Sequence, residues 1–223
     1  MVEHVYRRAA SARGVDAVVV ATDDERIRSA VEGFGGLVRM TEATHRTGTD
    51  RIAEVAGDLT CDIVVNVQGD LPLVEPEMIA EAVASLDRDP GAHMSTLRRR
   101  ITDAAEYSNP NVVKVVVDRH DRALYFSRSP IPFFRGDGPA QAGRHVQGLY
   151  KHFGLYAYRR PFLLTLTALP QTPLEIAESL EQLRALEHGY GIATVETQYD
   201  SIEVDTPEDL DRVRRLMAVG TSA

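Results

Sequence analysis

Cys61-Asp62-Ile63-Val64-Val65-Asn66-Val67-Gln68-Gly69-Asp70-Leu71-Pro72 decides the fold. Its first half is a short, β-branched apolar run, which reads as a strand buried on both faces. Strands of that kind belong to parallel sheets covered by helices on either side. Its second half turns polar at once. Gly69 lets backbone approach a ligand closely, and the Asp70 carboxylate suits a hard cation such as Mg²⁺. Open α/β sheets bind ligands at the carboxyl ends of their parallel strands, so the same stretch points to both fold and site.

Upstream, residues 16–22 (DAVVVAT) form a second run of the same kind. Helical spacing covers 2–13, 23–36, 49–58 and 75–89. An Asp caps the second of these, glycines close it, and Pro76 falls in the first turn of the last. The order α-β-α-β-α predicts half of a doubly wound α/β sheet. Neither GxGxxG nor GxxxxGK[ST] occurs. Downstream the texture changes. Residues 112–130 read as an antiparallel hairpin around Asp118-Arg119-His120-Asp121-Arg122, and 151–160 as a strand with aromatic alternation. Residues 174–189 read as one amphipathic helix ending at Gly189, 191–198 as a strand, and 206–219 as a capped C-terminal helix. The Gly- and Ala-rich stretch 134–148 reads as a mobile loop. The expected architecture is a single α/β domain over 1–223, with a mixed sheet and a smaller antiparallel hairpin lobe.

Composition narrows the function. The 223 residues are 43% apolar and 26% charged, which excludes a disordered or fibrous chain. No apolar run approaches the ~18 residues of a membrane span, and MVEHVYRRAA lacks the apolar stretch of a signal peptide. The net charge of −8 argues against a nucleic-acid surface. Cys61 is the one cysteine, so there is no intrachain disulfide, and a reducing, cytoplasmic compartment is expected. Of the 25 basic residues only Lys114 and Lys151 are lysines. The arginine forks suit phosphate and carboxylate groups.

Other polar clusters join Asp70. In Ile202-Glu203-Val204-Asp205-Thr206-Pro207, either Asp205 or Thr206 caps the helix that follows, and Asp205 gains a ligand role only if it lies near Asp70. His45-Arg46-Thr47-Gly48-Thr49-Asp50-Arg51 leads into a helix whose first N–H groups favour anions, although a plain helix cap explains it equally well. Tyr125-Phe126-Ser127-Arg128 and Lys151-His152-Phe153-Gly154-Leu155-Tyr156 bring polar tips to strand ends, where they suit an acidic sugar. A lone His on an aromatic strand is more often a structural one. Glu181 and Gln182 lie in 174–189, most of whose acids read as a solvated face.

Taken in order, TDDERI, HRTGTDR, VVNVQGDLPL, NPNVVKVV, ALYFSRSPIP, KHFGLYAY, PLEIAESLEQLR and VDTPEDLDRVR resemble the 3-deoxy-manno-octulosonate cytidylyltransferase (CMP-Kdo synthetase) family from residue 1 to about 217. The resemblance implies a Rossmann-like nucleotidyltransferase fold and transfer of CMP from CTP to the anomeric hydroxyl of Kdo, an acidic sugar of lipopolysaccharide. It implies a nucleotide half in 1–110, a sugar and dimer half in 111–200, and a metal-binding turn with the C-terminal helix in 201–223. It implies Mg²⁺ held by Asp70 and Asp205, within one coordination sphere of each other. CTP falls to Arg46, Thr47, Gly48, Thr49, Asp50, Arg51 and Gln68, and Kdo to Arg128, His152, Tyr156, Glu181 and Gln182. A homodimer is implied, built on the hairpin and the strand at 151–158. Two departures stand out. Family members begin with a strand and a basic IPARxxSxRxPGKPL-type loop that grips the triphosphate, whereas this chain opens at the helix that follows. That implies weak CTP binding, low stability and an unpaired sheet edge. The family's QGDEP also reads Gln68-Gly69-Asp70-Leu71-Pro72, which puts in question the contact its acid supplies. A cytidylyltransferase for another acidic sugar, such as sialic acid or amino-Kdo, and a non-catalytic subunit are the alternatives.

Overall fold

The computed structural model describes residues 1–135, 148–204 and 206–220. Most of the 134–148 stretch expected as a loop, residues 136–147, lies outside the described residues. The chain divides into two compact units. The first comprises Met1–Thr60, Asn66–Ala80 and the segment from Tyr199 onward, and the second Cys61–Val65 and Glu81–Gln198.

The first unit is built on a two-stranded parallel sheet. In chain order it holds α1 (Val2–Ala10), β1 (Val19–Thr22), α2 (Glu25–Gly33), β2 (Leu37–Met40) and α3 (Gly48–Gly57). Asp24 caps α2, its carboxylate accepting from Arg26 N at 2.7 Å. Gly36 allows a sharp exit from α2, since a Cβ there would meet Phe34 and Val31 side-chain carbons at 2.5 and 2.8 Å. β2 pairs in parallel with β1, Val19 opposite Leu37 and Thr22 opposite Met40. β2 escapes the sequence reading because its four residues are largely exposed and carry no apolar period. The two apolar runs are less buried than expected: β1 and β3 (Ile63–Asn66) are half-buried until their last residue. Among the described residues β1 pairs only with β2, so its other edge has no partner strand. The last helix of the chain, α9 (Pro207–Gly220), also belongs to this unit. Thr206 caps it, through Asp209 N to Thr206 Oγ1 (3.2 Å) and Thr206 N to Asp209 Oδ2 (3.0 Å). The core of this unit gathers Val5 and Ala9 of α1, Val31 of α2, Val55 and Ala56 of α3, then Leu71, Val74 and Val213.

The second unit carries a six-stranded mixed sheet. It continues with α4 (Pro76–Arg88, begun in the first unit), β4 (Met94–Arg100), α5 (Ala104–Ser108), β5 (Lys114–Val117), β6 (Ala123–Ser127) and β7 (Tyr150–Arg159). After these come α6 (Arg160–Ala168), α7 (Pro173–Glu178), α8 (Gln182–Glu187) and β8 (Ile192–Glu196). The strand order is β6-β5-β7-β4-β8, and β3 joins through β7. β4 runs parallel to β8 and antiparallel to β7, with a register shift between Thr96 and Leu97. The expected hairpin is present as β5–β6, Lys114 opposite Ser127 and Val116 opposite Tyr125. β4 was not foreseen, because five of the seven residues of MSTLRRR are charged or polar, yet its first residues are fully buried.

The expected single helix over 174–189 is two short helices. Ser179 takes a left-handed conformation (φ +51) and ends α7. The reason is tertiary: the Glu178 carboxylate is recruited by β6, and Arg184 of α8 folds back onto Glu175 of α7. β7 pairs with β3, β4 and β5 and so sits inside the sheet, whereas β6 is at its edge. No helix among the described residues is long and apolar enough to cross a membrane.

Candidate active site

The residues expected to hold the nucleotide all fall in the first unit. Thr47 caps α3, its hydroxyl accepting from Asp50 N at 3.1 Å, so the plain capping role holds for Thr47. Gly48 lies against Gln68: a Cβ on Gly48 would stand 3.7 Å from Gln68 Oε1 and 3.8 Å from Nε2. That close approach brings the α3 N-terminus to the Gln68-Gly69-Asp70 turn. Gln68 Nε2 donates to Oδ1 of the buried Asn66 at 3.2 Å, which orients the amide. Arg51 is a tether. Its Nη1 donates to Thr41 Oγ1 at 2.5 Å and its Nη2 pairs with Asp23 at 3.1 Å, tying α3 to the residues just beyond β1 and β2. Thr49 is buried, Asp50 is half-buried, and Arg46 is exposed beside them.

Asp70 is half-buried, and its carbonyl accepts from Val204 N at 3.0 Å. The segment that leads into Asp205 is therefore held to the Asp70 turn. Asp205 itself lies outside the described residues, so its expected approach to Asp70 does too. Leu71, which stands where the family carries an acid, is buried. A carboxylate with that side-chain placement would bear a desolvation penalty that leucine avoids. Among the described residues no group of three or more His, Cys, Asp or Glu side chains forms a metal cluster. Mg²⁺ is usually held by one or two carboxylates together with substrate phosphates, a donor set to which the Asp70 carboxylate is suited.

The residues expected at the sugar fall in the second unit. Glu178 and Lys114, neither of them foreseen as functional, organise the end of β6. The Glu178 carboxylate accepts from Ser127 Oγ (2.5 Å), Arg128 N (2.9 Å) and Tyr125 OH (3.4 Å). Burial pushes its pKa up, but these donors outweigh burial and hold it below the ordinary value. Arg128 directs Nε to Glu178 O (2.8 Å), Nη1 to Pro110 O (3.3 Å) and Nη2 to Ser179 O (3.5 Å). A guanidinium has five N–H donors, so two remain along with the charge. Fully buried Lys114 directs Nζ to the carbonyls of Asn109 (2.9 Å), Val112 (2.6 Å) and Arg128 (2.6 Å). Its signal was visible in the sequence: a charge inside the apolar run VVKVVV must be satisfied where it sits.

His152 and Tyr156 stand on β7. The His152 ring meets Phe126 edge-on (centroids 5.0 Å) and Tyr156 at 5.4 Å. Burial lowers the His152 pKa to about 3, so the ring is neutral at physiological pH. Thr96 Oγ1 lies 3.0 and 2.8 Å from the carbonyls of Phe153 and Leu155, and 2.9 Å from His152 Nε2. The hydroxyl's one proton goes to the carbonyls, so Nε2 carries the histidine proton and Nδ1 keeps a lone pair. His152 therefore adds no positive charge, and the cation expected to meet a carboxylate is Arg128. Gln182 is 5% exposed, and its Nε2 has no hydrogen-bond partner among the described residues. Glu181 lies 3.9 Å from Arg184, whose guanidinium is committed to Glu175.

The Cytidylyltransferase family pattern matches residues 1–197. The chain is 57% identical over 219 residues to 3-deoxy-manno-octulosonate cytidylyltransferase of Geobacter metallireducens, covering 96% of this chain and 85% of the relative. It is 56% identical to the protein of the same name in Geobacter sulfurreducens, covering 96% and 87%. Among solved structures, CMP:2-keto-3-deoxy-manno-octonic acid synthetase complexed with CTP superposes with a TM-score of 0.90 at 43% identity, covering 98% of this chain and 88% of that one. The 4-diphosphocytidyl-2C-methyl-D-erythritol synthase of Anaerococcus prevotii, at 14% identity and a TM-score of 0.61 over 97% and 89%, shares the fold.

Proposed function

The chain belongs to the cytidylyltransferase family, among the 3-deoxy-manno-octulosonate cytidylyltransferases, and from that premise we propose that it transfers CMP from CTP to Kdo, releasing pyrophosphate. The anomeric hydroxyl attacks the α-phosphorus. A new P–O bond forms, the bond to the bridging oxygen of pyrophosphate breaks, and the hydroxyl proton leaves. Such transfers are driven by positioning and charge neutralisation more than by covalent chemistry. The reading rests above all on the 0.90 superposition, at 43% identity, on a synthetase solved with CTP. The first eight curated relatives, at 53–57% identity, all carry the octulosonate name, which favours Kdo over another acidic sugar.

In this reading the start of α3 faces phosphate, with Arg46 beside it and Arg51 holding the helix in place. Gln68, oriented by Asn66, offers Oε1 and one N–H to a base edge. Asp70 and Asp205 would hold Mg²⁺, and Thr206 already caps α9, so capping does not call on Asp205. The metal would supply charge neutralisation at phosphate oxygens. On the sugar side Arg128 meets the carboxylate with its remaining N–H groups. Neutral His152 accepts from a sugar hydroxyl at Nδ1. Gln182 directs its amide N–H, unpartnered among the described residues, to a ligand oxygen, and Tyr156 and Glu181 complete the wall. We place the enzyme in the cytoplasm, in lipopolysaccharide biosynthesis. A homodimer is supported by the edge position of β6 and by exposed Leu124 on it (62%).

Steady-state kinetics with CTP, Kdo and Mg²⁺ test this. Arg128→Ala is expected to raise the KM for Kdo ~10-fold or more with the KM for CTP nearly unchanged, the loss of one charge-assisted contact. Asp70→Asn is expected to raise the Mg²⁺ concentration for half-maximal rate ~10- to 100-fold by the same arithmetic. Equal loss of both substrates' affinities in Arg128→Ala overturns the sugar assignment, and an unchanged Mg²⁺ dependence in Asp70→Asn overturns the metal assignment.

A further inference from the structure

Lys114 is a lysine with no exposed surface, and all three of its N–H groups end on backbone carbonyls. Those carbonyls are not scattered. One belongs to Arg128; the other two, of Asn109 and Val112, flank Pro110, whose own carbonyl accepts from Arg128 Nη1 at 3.3 Å. The ammonium thus fixes the backbone from which Arg128 springs and also the loop on which its guanidinium leans. Glu178 closes the arrangement from the other side, holding Arg128 N while its backbone oxygen takes Arg128 Nε. Register places Lys114 opposite Ser127 on β6 and Lys151 on β7, so the tie lies where three strands meet. Burial pushes the Lys114 ammonium down, Glu178 pushes it back up, and Arg128 pushes it down again. A charge kept in such surroundings contrasts with a methionine, which would fill the same volume without a buried charge.

We infer that Lys114 is a positioning residue for the acidic sugar: its ammonium sets the direction of the Arg128 guanidinium by bonding the Arg128 carbonyl and the 109–112 loop together. This rests on the reading of Arg128 as the carboxylate's partner. The test is a double-mutant cycle of Lys114→Met and Arg128→Ala in the full chain, with KM for Kdo and for CTP measured separately, and Lys114→Arg and Lys114→Gln as companions. Lys114→Met is expected to raise the KM for Kdo ~10-fold, the worth of one charge-assisted contact, with the KM for CTP changed less than ~2-fold. Added to Arg128→Ala, it is expected to raise the KM for Kdo no further. Lys114→Arg, which keeps charge and donors, is expected to recover much of the loss, and Lys114→Gln part of it. If Arg128→Ala alone leaves the KM for Kdo unchanged, the reading of Arg128 fails. If Arg128→Ala raises it and the Lys114→Met effect multiplies on top, the positioning role fails. Equal rises in both KM values, or loss of folding in all three Lys114 variants, identify a core strut and overturn the proposal.

Discussion

Replacing Arg184 by Met isolates the buried ion pair that fixes the break between α7 and α8. Arg184 and Glu175 are 4% and 5% exposed at the side chain, and they meet through two parallel contacts, Nε–Oε2 at 2.9 Å and Nη2–Oε1 at 2.5 Å. Removing one member of such a pair strands the other charge and costs ~3–5 kcal/mol. Glu175 keeps two weaker donors, Thr172 N at 3.2 Å and Gln171 Nε2 at 3.3 Å. These offset part of the loss, so the expected cost sits at the lower end, ~3 kcal/mol. Set against a domain stability of ~5–15 kcal/mol, that is a large fraction. At ~2–4 °C per kcal/mol for a chain of this size, the melting temperature falls ~6–12 °C. Urea titration followed by circular dichroism reads it as a lower midpoint at unchanged slope. The double variant Arg184→Met/Glu175→Leu removes the stranded charge and is expected to recover most of the stability. A single variant within ~1 kcal/mol of the parent, or a double variant no better than the single, refutes the reasoning.

Thr96→Val removes a fully buried hydroxyl that serves two carbonyls and His152 Nε2; a loss of ~1–3 kcal/mol is expected, together with a raised KM for Kdo, and an unchanged urea midpoint counts against the assigned tautomer. Nitrogen NMR of the His152 ring is expected to show no titration from pH 7.5 to 5, its pKa lying near 3; because the unfolded ring binds its proton near 6.5, stability falls as pH drops below that value, and a midpoint near 6.5 in the folded protein contradicts the neutral ring. Glu178 has a depressed pKa, so its contribution is present above the ordinary value of 4.5 and is lost as pH falls through the folded one. The melting-temperature gap between the parent and Glu178→Gln is therefore expected to hold from pH 7 to 5 and to close towards pH 3, and a gap that persists at pH 3 removes the ionised carboxylate from the account.

What was legible in the sequence was local. The capping Asp24, the turn at Thr47 and the β5–β6 hairpin each carry their cause within a few residues. The Gln68–Asp70 turn was legible for the same reason, as it follows an apolar run directly. What escaped depended on distant partners. The apolar spacing of 174–189 continues across Ser179 without a break, and only Glu178 meeting β6 and Arg184 meeting Glu175 divide it. β4 was hidden because Arg98, 4% exposed, is satisfied from afar by Thr194 and Asp121 and by the face of the Tyr150 ring. The candidate site shows the same division. Its residue types could be read along the chain, but Arg51 as a tether and Lys114 and Glu178 as organisers become visible only once strands are paired.

The placement of the two lysines has a practical consequence for chemical modification. Lys114 has no exposed surface, and Lys151, 13% exposed at the side chain, is paired with Glu106 at 2.6 Å. Neither lysine side chain is therefore open to an amine-directed reagent such as an activated ester while the protein is folded. Labels on Lys114 and Lys151, located by mass spectrometry of their peptides, report unfolding, with each lysine acting as its own reporter.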